Sequence, residues 1–305
     1  MIDVLAALVP VFAIIALGAT LRWTNLVVAD AWRALERVIY FVLFPSFLFG
    51  AIAFADFAGE PVVRMAVLLG AAMVAMAVLV YPFRALLRLD GAAFTSLFQG
   101  AVRWNSYVAL GAIAAVLGPQ GLALAAIAVA VMVPLANILC VLVLMHHAGN
   151  GAADVVVLAR LLSRNPLVVA SFAGIVVQVI GVEIPRVAAT TVDLLGSAAL
   201  PLGLLAVGAN LDLGEARQKA SPIAAAVLLK LLAMPLLVWA GCLALGVESA
   251  ARTAALLCAA VPGASSSYIL ARQLGGDAPL MANITTAQTL AAMVTMPIVL
   301  AVLAD

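Results

Sequence analysis

Long apolar runs dominate the chain, and short clusters of proline, glycine or charged residues separate them. A helix needs about 20 mostly apolar residues to cross a bilayer. Ten runs are long enough, so the pattern predicts ten membrane-spanning helices: 3–21, 32–54, 62–83, 92–117, 119–145, 166–182, 187–209, 221–246, 250–272 and 278–303. The runs lack the alternating pattern of an outer-membrane barrel. We therefore expect an all-α polytopic membrane protein, and we interpret the first run as a retained span, because no basic segment precedes it.

The composition excludes several classes of protein. Of the 305 residues, 67% are hydrophobic and 10% are charged, against about 25% charged in a typical soluble domain. So few charges cannot cover a soluble globule, which excludes a soluble enzyme and a disordered protein. The formal net charge of +1 creates no field that would attract nucleic acid. Cys140, Cys242 and Cys258 lie in apolar runs without CxxC spacing, so we expect packing residues rather than a disulfide or a metal site.

The basic residues of the loops predict the orientation of the chain, because Lys and Arg concentrate on the cytoplasmic side. With both termini outside, the inside loops carry Arg22, Arg33, Arg37, Arg84, Arg88, Arg160, Arg164, Arg217, Lys219 and Arg272. The outside loops then carry only Arg64, Arg186 and Arg252. We therefore expect a multi-pass protein of the inner (plasma) membrane with its N-terminus and C-terminus outside.

A weak internal repeat relates the two halves of the chain. Pro45 and Pro201 occupy matching places in the second and seventh predicted spans, and Asp56 and Asp212 follow at the same offset of 156 residues. Five spans per half is an odd number, so the second half would enter the membrane from the opposite side. Such inverted repeats are typical of secondary transporters; chance similarity between Ala/Leu/Val-rich helices is the alternative. The expected organisation is a first five-helix repeat over 1–147, a short cytosolic linker over 148–160 and a second, inverted repeat over 161–305.

The fourth and ninth predicted spans carry polar residues, glycine or proline deep within apolar sequence. They read RWNSY from Arg103 and VPGASSSY from Val261. A charge at the bilayer centre costs about 2.5–3.5 kcal/mol on insertion scales, so Arg103 needs a partner or a polar cavity. Proline and glycine favour an interruption of the helix. We therefore predict a chain break in each span, with Asn105, Ser106 and the serines at 265–267 capping the half-helices that follow.

Two half-helix N-termini and one arginine would suit an anion. Free amides at a helix N-terminus carry partial positive charge, and a guanidinium binds a carboxylate through a bidentate fork. The alternatives are simple kinks, and serines that bond back to the preceding turn or join helices.

Five segments resemble the auxin efflux carrier family, bacterial type, in the bile acid/auxin transporter superfamily, over essentially the whole chain. They are PVFAIIALGATLR, FVLFPSFLF, FQGAVRWNSYVALG, ALPLGLLAVGANL and AAVPGASSSYILARQLGGDAPL. The resemblance implies ten helices in two inverted five-helix repeats, with helices 4 and 9 broken and crossing, and an elevator-type movement of one domain. It places Asn105 at the first crossing, Pro262 at the second, and Pro45–Ser46 at the substrate pocket.

The residues and the resemblance together predict a secondary transporter of a small organic anion, such as a malonate- or auxin-like carboxylate. The expected substrate-binding residues are Pro45, Ser46, Arg103, Asn105, Ser106, Tyr107, Asn137, Pro262, Gly263, Ser265 and Ser266. We expect no catalytic residue, metal site or cofactor, and the coupling ion, Na⁺ or H⁺, stays open. The expected partners are the organic anion, the lipid bilayer and a second copy of the chain, without nucleic acid. A sodium-coupled bile-acid-type symporter and a channel are the alternatives; the motifs of intramembrane proteases (GxSG, HExxH, GxGD) are absent from the sequence.

Two further charges lie within predicted spans. Asp193 either takes part in ion coupling or is an interfacial acid that reaches water or pairs with Arg186. Lys230 either balances a substrate, pairs with Asp193 or extends to an interface. His146 and His147 end the fifth span and are interpreted as interfacial residues.

Overall fold

The computed structural model describes residues 2–55, 61–148, 165–211 and 220–303, and within these ranges the chain is helical and forms no strand. The predicted linker therefore lies outside the described residues except for its first position. The repeat-related acids Asp56 and Asp212 lie outside them as well.

Fifteen α-helices form in the described ranges. In the first half they are α1 (Ile2–Trp23), α2 (Ala29–Val38), α3 (Phe44–Ala53), α4 (Val62–Leu79), α5 (Pro82–Leu86), α6 (Gly91–Val102) and α7 (Ser106–His147). In the second half they are α8 (Pro166–Ile180), α9 (Arg186–Ser197), α10 (Ala199–Ala209), α11 (Ala220–Leu228), α12 (Met234–Leu245), α13 (Ser249–Ala260), α14 (Ser266–Gln273) and α15 (Ala278–Leu303). The π-helical turns Ile39–Leu43 and Leu229–Ala233 join α2 to α3 and α11 to α12.

Seven stretches of the described residues are long and apolar enough to cross a membrane, and α8 and α13 are shorter apolar helices. The predicted all-α membrane protein is therefore confirmed, whereas the count of ten spans stays a prediction. The long helix α7 is interrupted at Gly118, which has φ 62° and ψ −151°. Only glycine adopts this conformation readily. The interruption lies where the sequence predicts the border between the spans 92–117 and 119–145.

The helices pack as two groups. The first group consists of α1–α3 and α8–α10, in which α1 packs along α10 and α3 packs along α8 and α9. The second group consists of α4, α6, α7 and α11–α15, in which α7 packs along α4, α6 and α13. In the described part of the chain, the more extensive contacts between the groups all involve α7 or α15. The two groups therefore meet along a narrow set of helical faces.

Glycine allows the backbones of α1 and α10 to approach closely. A Cβ atom at Gly208 would overlap the carbonyl oxygen of Ile15, and one at Gly18 would overlap the carbonyl oxygen of Leu205. Small residues let membrane helices associate through van der Waals contact. The first group is thus joined by a tight contact between one helix from each half of the chain.

Candidate functional site

The chain breaks at the two places that the sequence predicts. Helix α6 ends at Val102 and α7 begins at Ser106, while α13 ends at Ala260 and α14 begins at Ser266. The first residue after each ending helix has nearly the same extended backbone, with φ −71° and ψ 153° at Arg103 and φ −70° and ψ 154° at Val261. The breaks lie against each other, because the amide of Asn105 donates a 2.8 Å hydrogen bond to the carbonyl oxygen of Pro262.

Asn105 caps α7, as predicted. Its side-chain oxygen accepts hydrogen bonds from the amides of Tyr107 and Val108, at 3.1 and 3.2 Å. These bonds satisfy two of the amides that a helix start leaves free. The residue is only 2% exposed, so it stabilises the break from within the protein rather than at its surface.

The predicted cap of α14 is wrong. Ser265 stands at the N-cap position but makes no side-chain cap hydrogen bond. Its backbone is already helical, with φ −59° and ψ −30°, whereas a capping side chain needs extended backbone to reach the amides ahead. The amides of Ser267 and Tyr268 instead donate to the carbonyl oxygens of Ala264 and Ser265 in a tight turn. The hydroxyl of Ser265 therefore has no hydrogen-bond partner among the described residues.

Gln288 on α15 holds both breaks and was not predicted as a site residue. Its Oε1 atom accepts from the amide of Gly263, and its Nε2 atom donates to the carbonyl oxygens of Gly100 and Ala226, all at 2.9 Å. The side chain is completely buried. One amide thus fastens the end of α6, the start of the second break and α11 together. The only signal in the sequence is a glutamine deep in an apolar span.

Arg103 lies in the first break with neutral partners. Its Nη1 atom donates to the side-chain oxygen of Asn137, and its Nη2 atom donates to the hydroxyl of Ser266, both at 3.1 Å. Among the described residues no carboxylate forms an ion pair with it. The guanidinium therefore keeps its full charge uncompensated, beside a serine of the other break.

A cavity of about 1530 Å³ lies between the two groups and reaches both breaks. Six of the predicted site residues line it: Arg103, Ser106, Tyr107, Asn137, Ser265 and Ser266. Asn105, Pro262 and Gly263 are buried behind its wall, where they build the breaks. The structure therefore brings most of the predicted residues to one place, some as lining and some as support.

Pro45 and Ser46 lie elsewhere. Ser46 lines a second cavity of about 720 Å³, and its hydroxyl donates to the carbonyl oxygen of Val42 at 2.8 Å. Pro45 lines neither cavity. Asp193 is exposed and also lines the second cavity.

Tyr107 connects the two groups across the main cavity. Its ring packs edge-on against Phe44, with 4.6 Å between the ring centroids. A Cβ atom added at Gly203 would lie 2.6 Å from Cδ1 of the same ring. The absence of a side chain at Gly203 in the first group therefore makes room for a tyrosine of the second.

The opposite wall of the cavity carries polar residues that are not among the expected substrate-binding residues. Glu36 and Tyr40 come from α2 and the π-helical turn after it. The side-chain amide of Asn210, the residue after α10, donates to Oε1 of Glu36. Arg22, Arg33 and Arg37 line the same cavity, and Arg33 pairs with Asp30. These residues lie near the ends of helices in the sequence, where polar residues are ordinary, so no local signal marks them.

Lys230 is completely buried in the π-helical turn between α11 and α12. Its ammonium has no hydrogen-bond partner among the described residues and forms no ion pair with Asp193. The interpretations in which it pairs with Asp193 or extends to an interface are therefore wrong. It lines neither cavity.

Together the fold and this cavity define a class: a multi-pass helical membrane protein with a solute-sized cavity between two helix groups. Residues 3–300 match the family described as Membrane transport protein, and the chain belongs to that family, the auxin efflux carrier family of secondary transporters. No curated protein matches the chain.

Proposed function

We propose that the chain transports a small organic anion, a carboxylate such as a malonate- or auxin-like acid, by alternating access. One observation carries the proposal: the guanidinium of Arg103 has only neutral partners and faces the cavity between the two helix groups. A charge within a membrane-spanning segment that lacks a counter-ion is costly. A bound carboxylate would supply the missing counter-charge.

The binding site in this proposal lies where the two broken helices cross. The guanidinium of Arg103 offers a planar fork of donors that matches a carboxylate. Ser265 lines the same cavity, and its buried hydroxyl lacks a hydrogen-bond partner among the described residues. Serines at 106 and 266 add further hydroxyl groups. A carboxylate here would therefore contact residues of both breaks.

The ten-span inverted repeat belongs to the same proposal. Under that count, α1 is the first span, α10 belongs to the seventh, α3 to the second and α8 to the sixth. The repeat relates the first span to the sixth and the second to the seventh. The packing of α1 on α10 (spans 1 and 7) and of α3 on α8 (spans 2 and 6) would then be equivalent contacts. The equal backbone angles at Arg103 and Val261 support the same relationship.

In the proposed elevator movement, the second group carries the site past the first. The limited contact between the groups, through α7 and α15, favours such a movement. Arg22, Arg33 and Arg37 line the cavity, and the charge bias of the loops assigns these residues to the cytoplasmic side. The structure would then correspond to an inward-facing state.

The test measures thermal stabilisation of the purified protein by small carboxylates, auxin-like aromatic acids and bile acids, with and without sodium. A ligand at a hundredfold excess over its Kd stabilises the folded state by about 2.7 kcal/mol. We expect one class of acid to raise the Tm, and Arg103→Ala to abolish the shift. Arg272→Ala removes an exposed charge of the second group outside the cavity, so it is the matched control and keeps the shift.

The other possible outcomes distinguish between the candidate functions. A shift that requires sodium would assign a sodium-coupled symporter. Saturable uptake and counterflow in liposomes would distinguish a carrier from a channel. A shift that survives in Arg103→Ala would show that the site is wrong, and no shift with any acid would reject the organic-anion substrate.

A further inference from the structure

A carboxylate lies inside the cavity that we propose for the anion. Glu36, on α2 of the first group, is half-buried and lines the cavity opposite the breaks. Its Oε1 atom accepts a hydrogen bond from the amide of Asn210. Among the described residues no arginine or lysine forms an ion pair with it. Within the part of the chain that the structure describes, Glu36 is therefore an acid that is held by a hydrogen bond and not by an ion pair.

Glu36 and Arg103 line the same cavity, together with Tyr40 and Tyr107. An anion bound at the guanidinium would therefore share the cavity with the carboxylate of Glu36. Like charges repel more strongly where protein and membrane exclude much of the water.

Besides Glu36, the charged or titratable side chains of the described residues that line this cavity are Arg22 on α1, Asp30, Arg33 and Arg37 on α2, Tyr40 on the π-helical turn, Arg103 and Tyr107 at the first break, and Tyr268 on α14. Asp30 is the other carboxylate of the lining, but its side chain is 80% exposed and paired with Arg33. Glu36 is thus the acid that a bound anion would disturb most.

We propose that Glu36 takes up one proton when the anion binds and releases it when the anion leaves, so that binding of the substrate at this wall of the cavity is linked to the uptake of H⁺. The inference rests on the proposed transport of a carboxylate. The proton comes from solution and forms an O–H bond on Glu36, while no bond of the substrate breaks. One positive and one negative charge enter together, so the net charge of the cavity is unchanged. The neutral carboxyl still accepts from Asn210 and gains a donor.

The experiment compares the full-length wild type with Glu36→Gln, using indole-3-acetate and malonate as probes between pH 6 and 8. Glutamine keeps an oxygen that can accept from Asn210 and cannot take up a proton. We measure Kd at each pH, and proton uptake on binding in weakly buffered solution with a pH-sensitive dye. Titration of the ligand itself is common to both proteins and cancels in the comparison.

For the wild type we expect weaker binding as the pH rises, with a limiting slope of tenfold in Kd per pH unit, and uptake of one proton per anion where Glu36 is ionised. For Glu36→Gln we expect a Kd that stays at the low-pH value of the wild type, without this uptake. Asp30→Asn, the matched change at the exposed carboxylate, keeps the wild-type slope.

The two ways of failing are distinct. If Glu36→Gln binds through Arg103 but keeps the wild-type pH slope and proton uptake, Glu36 is not the coupling group, and the carrier assignment stands. If neither acid binds to either protein at any pH, both the proton coupling and the proposed transport of a carboxylate are rejected.

Discussion

The amide of Asn105 donates a hydrogen bond to the carbonyl oxygen of Pro262 across the two chain breaks. These residues are far apart in the sequence and belong to different halves of the chain. Proline supplies a carbonyl oxygen but no amide hydrogen, so Pro262 acts purely as an acceptor for the backbone of the other break. The polar backbone that both breaks free is thereby partly satisfied within the protein, as a membrane interior requires.

Gln288→Leu should destabilise the protein by removing the hydrogen bonds that hold the two chain breaks together. The substitution removes three buried hydrogen bonds and leaves the amide of Gly263 unpaired, and an unpaired buried group costs about 1–3 kcal/mol. We expect a Tm lower by several degrees. The measurement is thermal unfolding in detergent. Thr289→Val is the control, because the hydroxyl of Thr289 bonds only to Thr285 of its own helix; an equal loss in both variants would contradict the role of Gln288.

Asn105→Asp should separate stability from binding. Aspartate keeps the oxygen that caps α7, and a negative charge at a helix N-terminus is favourable, which offsets part of the cost of burying a carboxylate, so the loss of thermal stability should be small. The added charge lies two positions from Arg103, and we expect anion affinity to fall at least tenfold. Asn105→Ala should show the reverse pattern, losing about 1 kcal/mol with the cap and keeping more of the affinity.

Gly203→Ala should impair transport. The new Cβ atom would meet the ring of Tyr107 at 2.6 Å, which forces the ring away from Phe44 and into the cavity. We expect slower uptake of the carboxylate into liposomes. The same substitution at Gly70 places the Cβ atom at an ordinary 3.7 Å from its nearest neighbour and should leave uptake unchanged. Uptake that is normal in Gly203→Ala would show that the ring position is unimportant.

Lys230→Met should stabilise the protein. The ammonium of the lysine is completely buried without a hydrogen-bond partner among the described residues, and removing an unsatisfied buried polar group removes a cost of about 1–3 kcal/mol. We expect an equal or higher Tm, and retention of anion binding because Lys230 lines neither cavity. Loss of stability with loss of binding would instead assign the ammonium a role in the site.

The breaks are predictable from sequence because their causes are local. Pro262, Gly263 and Asn105 each disfavour a continuous helix or favour a helix start, and the structure ends and restarts the helices there. The prediction that Ser265 caps α14 is wrong for a local reason too, since the residue type does not reveal that the backbone of Ser265 is already helical.

Other parts of the site depend on which helices meet. Gln288 is distant in sequence from Gly100 and Ala226, and Glu36 is distant from Asn210. No spacing or composition indicates these pairs. The resemblance to the family likewise does not predict the position of Ser46, which lines the second cavity rather than the first.

The grouping of the helices bears on the direction of net flow. Both breaks and Gln288 belong to the second group, so in the proposed elevator movement a bound anion would keep these contacts on both sides of the membrane. A difference in affinity between the two faces would then come from the first group, including Glu36, and from its neighbour Asn210. The second group by itself would serve both directions equally, and the first group would make one side the better place to load.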